Sequence, residues 1–363
     1  MSVLAAIGVL ALLIVVHELG HFLAARLQGI HVNRFSLGFG PILWKYQGRR
    51  TEYAVRAIPL GGFVGFPDDD PDSDIPPNDP DLLRNRPILD RAIVISAGVI
   101  ANLIFAYFVF ATQFVAVGIP QFSDQSGVLV ADVISVEAPA AQAGLRAEDV
   151  ILAVNDQSLG DGNEARILLM QQIQEHADQP IDLTVQRGEQ QLDLTVTPRS
   201  EEDGIARIGV QLLPNRRVTG YRPPSGVVEV LSEAARVFQN AFLAVAQGFI
   251  SLVTNFSSVA SQVGGPVKIV EQGASFAASD ATRLFDFAAL ISINLAIINI
   301  LPLPALDGGQ LAFLLIEALR GKPLPNRIQE NVMQTGLMLL LGLGIFLIVR
   351  DTTQLEVFQN LFQ

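Results

Sequence analysis

The stretch His17-Glu18-Leu19-Gly20-His21 lies within one of the most apolar parts of the chain. The apolar run Val3 to Val16 leads into it, and Phe22 to Ala25 continue beyond it. Residues 3–27 are long enough to cross a bilayer as one helix at ~1.5 Å per residue. Ionisable side chains at membrane depth are costly to insert and persist mostly where a function needs them. The sequence therefore predicts a first transmembrane helix, residues 3–27, that carries a functional site.

Two histidines four residues apart share one face of a helix, so His17 and His21 can direct ring nitrogens at one metal ion. Glu18 lies beside them, where a carboxylate can take a proton from an attacking water molecule. This pattern is half of a zinc hydrolase site, because a tetrahedral zinc needs a further protein ligand. In a soluble helix the same residues would often form a solvated polar face. At membrane depth the alternative is a buried polar network without metal.

The composition indicates the broad class of protein. Of 363 residues, 50% are hydrophobic, which favours a polytopic membrane protein with room for one soluble domain. The first helix has no basic start and no small-residue cleavage site, so we interpret it as retained rather than as a removed signal peptide. The absence of cysteine leaves only nitrogen and oxygen to hold a metal. The formal charge of −12 argues against nucleic acid as a partner.

Residues 31–66 combine β-compatible runs with glycine and proline, as in Gly38-Phe39-Gly40-Pro41 and Pro59-Leu60-Gly61-Gly62-Phe63-Val64-Gly65. This pattern predicts a hairpin-like β-loop whose glycines allow another backbone to approach closely. A surface hairpin with ordinary turn glycines is the alternative to a role beside the active site. The segment 68–81 is rich in aspartate and proline, which predicts a solvated, poorly ordered acidic linker.

A second apolar run, residues 92–117, predicts the second transmembrane helix. Basic residues are dense between the two helices, so the positive-inside rule places this connection in the cytoplasm. These residues are Arg26, Arg34, Lys45, Arg49, Arg50, Arg56, Arg84, Arg86 and Arg91. The metal-binding end of the first helix is therefore expected toward the cytoplasmic face. The chain from about Pro120 is expected on the opposite side.

Residues 121–221 change to alternating strand patterns around one helical stretch, residues 163–174. Within them, an alanine-rich helix ends at Gly144 and is followed by a strand into a turn in which Asp156 takes the usual glycine place. This run, Ala138 to Asn155, resembles the signature of a bacterial PDZ domain. The resemblance implies an extracytoplasmic domain that binds peptide tails by strand addition. A domain that acts only as a steric cap is the alternative.

In residues 222–286, apolar positions recur with helical spacing opposite polar residues such as Glu229, Glu233 and Arg236. This strong amphipathicity favours an interfacial helix, followed by a connector, over a spanning helix.

Residues 287–350 contain the third and fourth predicted transmembrane helices, residues 287–301 and 332–349. The third ends in a polar motif. The motif comprises Asn294, Asn299, Pro302, Pro304 and Asp307. Prolines break helices, and at membrane depth this is tolerated only where the freed backbone groups find partners or line a wet cavity.

Asp307 is the natural candidate for the missing oxygen ligand. It can meet His17 and His21 only if the third helix runs toward the cytoplasmic side. The amphipathic helix before it must then make no net crossing. Basic residues after the motif, including Arg320, fit this orientation.

The pairing of the first motif with the second, across a PDZ-like domain, resembles the site-2 protease family of intramembrane zinc metalloproteases, in particular its bacterial RseP type. The resemblance implies one zinc ion per chain held by His17, His21 and Asp307, with Glu18 as the catalytic base. The chain departs from the RseP pattern in having room for one PDZ domain where two are common. It also has Gln310 where a histidine often follows the glycines.

The same resemblance implies that residues 31–66 form a membrane re-entrant β-loop. The edge of this loop, with Gly61, Gly62 and Phe63, is expected to align the substrate. Residues of the second motif are expected to help hold the unwound substrate backbone. They are Asn294, Asn299, Pro302 and Pro304.

The expected function is cleavage of transmembrane segments of single-pass membrane proteins, after a first cut by another protease. Anti-sigma-factor-like proteins and signal-peptide remnants are both candidate substrates. The expected location is the bacterial inner membrane, with the lipid bilayer as surroundings. The main alternative is a non-catalytic membrane sensor or scaffold that carries a PDZ domain. A zinc or ion transporter is a third reading, but it would need polar residues distributed along a pathway through several helices.

Overall fold

The structure of the protein is a computed structural model that describes residues 2–70, 73–135, 137–200, 204–254, 264–280 and 282–354. The helices are α1 Ser2–Leu27, α2 Ile88–Ala116, α3 Pro139–Gln142, α4 Gly162–Glu175, α5 Val227–Thr254, α6 Pro266–Ser279, α7 Arg283–Ile300, α8 Asp307–Arg320 and α9 Asn326–Gln354. The strands are β1 Arg34–Gln47, β2 Glu52–Gly65, β3 Ile119–Val133, β4 Val150–Val154, β5 Gln157–Ser158, β6 Ile181–Arg187, β7 Gln190–Val196, β8 Arg199–Ser200, β9 Ala206–Arg207 and β10 Val210–Arg222.

The chain forms two compact units. The first, here called the helical unit, comprises Met1–Ala116, Ser225–Gly248 and Gly264–Gln363; the second, the β unit, comprises Val117–Pro224 and Phe249–Val263. The predicted insertion of a strand-rich domain between apolar helices agrees with this division.

Five helices in the described part of the chain are long and apolar enough to cross a membrane, by length and composition alone. Four of them, α1, α2, α7 and α9, correspond to the predicted transmembrane helices. The fifth is α5, for which the sequence predicts an interfacial position. Helix α2 begins at Ile88 and helix α7 at Arg283, each four residues before the start predicted for the second and third transmembrane helices.

Helices α1 and α2 approach closely through small residues. A side chain at Gly20 would collide with the carbonyl oxygen of Ala97 and lie 2.8 Å from the Ala101 methyl carbon. In lipid, where apolar burial gives no driving force, such close backbone packing is a main source of helix association. This packing positions α2 directly against the His-Glu motif of α1.

The connection between α1 and α2 is a folded β-sheet rather than a simple hairpin. Both strands bend, so each strand contributes two segments to the sheet. Neighbouring segments pair in the spatial order 62–65, 34–37, 52–56 and 42–47. The first bend includes Gly38, whose φ of +85° favours glycine. One edge of this sheet is therefore formed by residues 62–65, the end of β2.

The acidic segment 68–81 is held by side-chain contacts where the structure describes it, instead of being the free linker that the sequence predicts. Asp70 pairs with Arg34 at 2.9 Å. The carboxylate of Asp68 lies 3.2 Å from Arg84 Nε and accepts the backbone N–H of Leu83 at 3.0 Å. Composition signals disorder, but the basic residues of the same connection neutralise these aspartates.

The β unit contains an antiparallel sheet whose strands differ in length and follow the order β10-β3-β4-β6-β7, with β5 paired to β4. Helix α4 packs on β3 and β10 and completes a core that includes Val128, Ile151, Leu169 and Leu183. The predicted helical stretch 163–174 agrees with α4 to within one residue at each end.

A buried ion pair lies inside the β unit. The side chain of Asp149 is only 1% exposed and accepts hydrogen bonds from Arg187 Nε and Nη2, at 2.8 and 2.7 Å, and from the Arg146 N–H at 2.8 Å. Burial by itself raises the pKa of Asp149, but the hydrogen bonds and positive charges around it outweigh burial and lower the pKa below its ordinary value.

Helix α7 ends at the predicted proline motif, and α8 begins at Asp307. The turn between them contains Ala305 with φ +71°, an unfavourable conformation for alanine. A side chain at Gly308 would collide with the carbonyl oxygens of Leu301 and Ile300. Only a glycine therefore allows α8 to start so close to the end of α7.

Candidate metal centre and substrate cleft

The two histidines of α1 direct their rings to one point. The Nε2 atoms of His17 and His21 are 3.2 Å apart, and the two rings meet edge to face. This follows from the helix itself, in which residues i and i+4 lie one above the other. The pair of nitrogens that the sequence predicts for a metal ion is therefore present in the helical unit.

Asp307 completes a triangle with these nitrogens. Its Oδ2 atom lies 3.3 Å from His17 Nε2 and 3.4 Å from His21 Nε2. That oxygen is buried and has no hydrogen-bond partner among the described residues. Two ligands of a tetrahedral zinc, each at ~2.0–2.1 Å, lie roughly 3.3 Å apart, so the three donor atoms fit that ion.

Helix α2 holds the two imidazoles in place. His21 Nδ1 lies 2.8 Å from the carbonyl oxygen of Val94, so it donates its proton there and leaves Nε2 free to bind a metal. The side-chain amide of Asn102 lies 3.3 Å from His17 Nδ1. Between these two residues, a side chain at Gly98 would lie 2.7 Å from His17 Cε1 and would collide with His21. The glycine makes room for both rings.

Glu18 faces a cleft of about 900 Å³ that also contains the metal-ligand triangle. The edge of the small sheet lies against it, because a Cβ atom on Gly62 would be 2.8 Å from Glu18 Cγ. Gly61 and Phe63 line the same cleft. The carboxylate is thus held between the metal ligands and the backbone of an edge strand.

The second motif divides between the cleft and the helix packing. Asn299 lines the cleft, and its Nδ2 is 3.5 Å from His17 Nε2. Asn294 instead donates to the carbonyl oxygen of Leu290 at 2.9 Å and is not among the cleft-lining residues. Pro304 packs against Gly336 of α9, and neither Pro302 nor Pro304 lines the described cleft. The prolines thus shape the turn that precedes Asp307.

Two further features were not predicted from the sequence. Asn102 is fully buried beside His17, and its position as a polar residue in a membrane helix was a usable signal. Arg91 on α2 forms a two-bond ion pair with Glu317 on α8, with distances of 3.0 and 2.5 Å. Both residues line the cleft and are about 85% buried, at 15% and 14% exposed. No local pattern links residues so far apart in the chain.

Two imidazole nitrogens and a carboxylate oxygen in a triangle, with an adjacent carboxylate and set among membrane-length apolar helices, are typical of a membrane metalloprotease. The chain belongs to Peptidase family M50, the site-2 protease family, because the sequence model of that family matches residues 5–343. The resemblance noted from the two motifs is thereby confirmed, as is the assignment to the metalloproteases.

Named relatives agree with this family. "Putative zinc metalloprotease all3971" of Nostoc sp. is 63% identical over 368 residues, which cover 100% of each chain. "Membrane metalloprotease ARASP, chloroplastic" of Arabidopsis thaliana is 49% identical over 362 residues, covering 99% of this chain and 80% of the relative. Among solved structures, the PDZ domain of an SdrC-like protein from Listeria monocytogenes matches 24% of this chain and 88% of its own, with 19% identity and a TM-score of 0.22.

Proposed function

We propose that the protein is a zinc-dependent intramembrane endopeptidase that cleaves transmembrane segments of single-pass membrane proteins. The observation that carries this proposal is the triangle of His17 Nε2, His21 Nε2 and Asp307 Oδ2, with sides of 3.2 to 3.4 Å, beside Glu18 in a cleft of the helical unit. The names of the relatives, which include zinc and membrane metalloproteases, support it.

Each residue of the site has a role in this proposal. His17, His21 and Asp307 hold one zinc ion, which supplies a Lewis acid for the scissile carbonyl and lowers the pKa of water toward neutrality. Glu18 takes the proton of the attacking water and returns it to the leaving amine. Asn299, whose amide lies 3.5 Å from His17 Nε2, donates to the substrate backbone beside the metal.

The substrate enters as an extended strand. A transmembrane helix pairs its own amides, so it must unwind before its peptide bond can be attacked. Residues 62–65 form the edge of the small sheet, and Gly62 lies against Glu18. A substrate strand added to this edge regains backbone hydrogen bonds while its peptide bonds pass the catalytic carboxylate.

The topology of the proposal has four crossings. Gln113 near the end of α2 donates to Asp286 near the start of α7 at 3.1 Å, which favours the same side of the membrane for both. The segment between them must then cross an even number of times. Helix α6 has only 14 residues, fewer than the roughly 20 that a span needs, so α5 lies in the interface.

The basic residues that follow α1 and α8 orient the protein. They support a cytoplasmic position for the small sheet and an extracytoplasmic position for the β unit. The proposed location is a bacterial inner membrane. The Arabidopsis relative is named as a chloroplastic membrane metalloprotease.

The β unit is proposed to be a PDZ domain that takes peptide tails. Among the described strands, β10 is an edge strand of the sheet: it pairs with β3 along one side, and no described strand pairs with its other side. Strand addition needs such an edge.

We further propose that substrates are trimmed by another protease first, since a cleft of about 900 Å³ admits an extended segment rather than a folded domain. Anti-sigma-factor-like proteins and signal-peptide remnants both have that form.

The test is cleavage of a pre-trimmed single-pass substrate by the purified chain in detergent, with zinc measured in the same samples. Glu18→Gln should keep its zinc and lose cleavage by at least 10²-fold, because it removes the base and leaves the ligands. Asp307→Ala should lose zinc. If the wild type and Glu18→Gln both carry zinc and neither cuts any of several unrelated substrates, the result favours a scaffold or an enzyme that needs a partner. If the folded wild type carries no metal, the site is misassigned.

A further inference from the structure

Asn102 is a polar side chain in the middle of α2 with no exposure to solvent. Its carboxamide lies 3.3 Å from His17 Nδ1. The structure has the amide nitrogen on this side, while the amide oxygen, Oδ1, is buried and unpartnered among the described residues. Nitrogen and oxygen of a carboxamide have almost the same shape, so their assignment follows from the hydrogen bonds that each must make.

The metal triangle decides which atom must face His17. His17 Nε2 points at Asp307 Oδ2 and His21 Nε2, so it is the nitrogen directed at the metal. A nitrogen that binds a metal carries no proton, and a neutral imidazole then carries its proton on the other nitrogen, Nδ1. Nδ1–H needs an acceptor, and an amide –NH₂ cannot accept.

We propose that the carboxamide oxygen of Asn102 accepts the Nδ1 proton of His17, and that Asn102 is the positioning residue that fixes this ring for zinc. The inference rests on the proposed zinc site and adds to it a residue outside the three ligands. Turning the amide by about 180° places Oδ1 at the observed 3.3 Å position and gives the unpartnered oxygen a donor.

The second histidine has the same arrangement with a backbone partner. His21 Nδ1 donates to the carbonyl oxygen of Val94 at 2.8 Å. Helix α2 therefore orients both imidazoles, one through a main-chain oxygen and one through a side chain. Because the helix backbone cannot be removed by substitution, Asn102 is the orienting group that mutation can test.

Ser292 on α7 supplies a matched control. Its hydroxyl donates to the backbone carbonyl of Asn102 at 2.8 Å, and its side chain is fully buried. Ser292→Ala thus disturbs the packing around Asn102 without touching the carboxamide. A general packing role of this position and a specific role of its oxygen then give different results.

The experiment measures zinc affinity of the full chain in detergent by competition with a chelator, and the melting temperature of the metal-free protein. Asn102→Leu, similar in size but without an acceptor, should bind zinc 10- to 100-fold more weakly, the usual effect of losing a partner of a metal-bound histidine. Asn102→Asp keeps an acceptor and should stay within a few-fold of wild type. Ser292→Ala should bind zinc like wild type.

A spectroscopic measurement separates orientation from folding. The chain has four histidines, so ¹⁵N-histidine spectra of the zinc-loaded protein can be assigned by substituting each in turn. The Nδ1 signal of His17 should be that of a protonated, hydrogen-bonded nitrogen and should shift in Asn102→Leu, while that of His21 stays unchanged. An unprotonated Nδ1 on His17 would overturn the proposal.

Two other results would also overturn it. One is a zinc affinity in Asn102→Leu equal to that of wild type; the other is an equal loss in Ser292→Ala, which would indicate packing. If Asn102→Leu does not fold, Asn102→Ala against Asn102→Asp makes the same comparison. A wild type that binds no zinc would contradict the proposed function itself, whereas these results contradict only the role of Asn102.

Discussion

Gly62→Ala tests how the small sheet fits against Glu18, the proposed catalytic carboxylate. The added methyl carbon would lie 2.8 Å from Glu18 Cγ and 2.9 Å from the carbonyl oxygen of Ser36. Carbon atoms in contact prefer about 3.5–4.0 Å, so Glu18 must move by roughly 0.7–1.2 Å. The Ser36 oxygen belongs to the sheet backbone, so the strand cannot retreat freely to make this room.

A shift of about 1 Å in a catalytic group can cost roughly 10²-fold in rate, which corresponds to about 2.7 kcal/mol of activation free energy. We expect Gly62→Ala to lower kcat by this amount. Zinc content should remain that of wild type, because His17, His21 and Asp307 keep their positions.

The assay is single-turnover cleavage of the detergent-solubilised substrate, with zinc measured in each sample. Gly65→Ala is the matched control, because its methyl carbon would meet Arg34 Cβ and Asn33 Oδ1 at 3.0 Å, at the end of the same strand and away from Glu18. In a Glu18→Gln background, Gly62→Ala should add little further loss, because both changes act through one side chain. Wild-type cleavage by Gly62→Ala, or loss of its zinc, would refute this reasoning.

Three further predictions concern other parts of the chain. Gly308→Ala should weaken zinc binding by ten-fold or more in chelator competition, since its methyl group meets two carbonyl oxygens at the end of α7 and displaces the adjacent Asp307; an unchanged affinity would show that the turn can adjust. Arg91→Ala leaves the carboxylate of Glu317 without its partner and should destabilise the chain by about 2 kcal/mol, seen as a lower melting temperature in detergent. Exchange of the two charged residues, Arg91→Glu with Glu317→Arg, should restore part of this stability. An unchanged melting temperature in Arg91→Ala would show that the ion pair does not stabilise the chain. Because folding lowers the pKa of Asp149, its contribution to the stability of the β unit is complete above the ordinary aspartate pKa of about 4 and is lost as the pH falls through the lower folded-state value. Denaturant unfolding of residues 117–224 should show a smaller acid-induced loss in Asp149→Asn than in wild type, and equal pH profiles would contradict this assignment.

The meeting of the three proposed metal ligands could be predicted because each depends on local or chemical constraints. His17 and His21 meet through the period of a single helix, which the sequence already specifies. Asp307 was the candidate for the third ligand because a chain without cysteine would have to complete such a site with nitrogen or oxygen, and the segment after the end of α7 offers a carboxylate. Helical period also explains why Asn294 does not line the cleft, whereas Asn299 does. At about 100° per residue, Asn294 and Asn299 lie roughly 140° apart around α7, so one faces the cleft and the other its own helix.

The sequence by itself determined the class of the protein, the helices long enough to span a membrane, the inserted strand-rich unit and the three residues proposed to hold a metal. These follow from composition, periodicity and ligand chemistry, which are properties of short stretches of chain. Only the tertiary structure decided that Gly62 lies against Glu18, that Asn102 lies beside His17, and that residues 34–65 fold into four sheet segments. Close approach of distant backbones depends on how bent strands and crossing helices pack together, and no local pattern of residues encodes those distances.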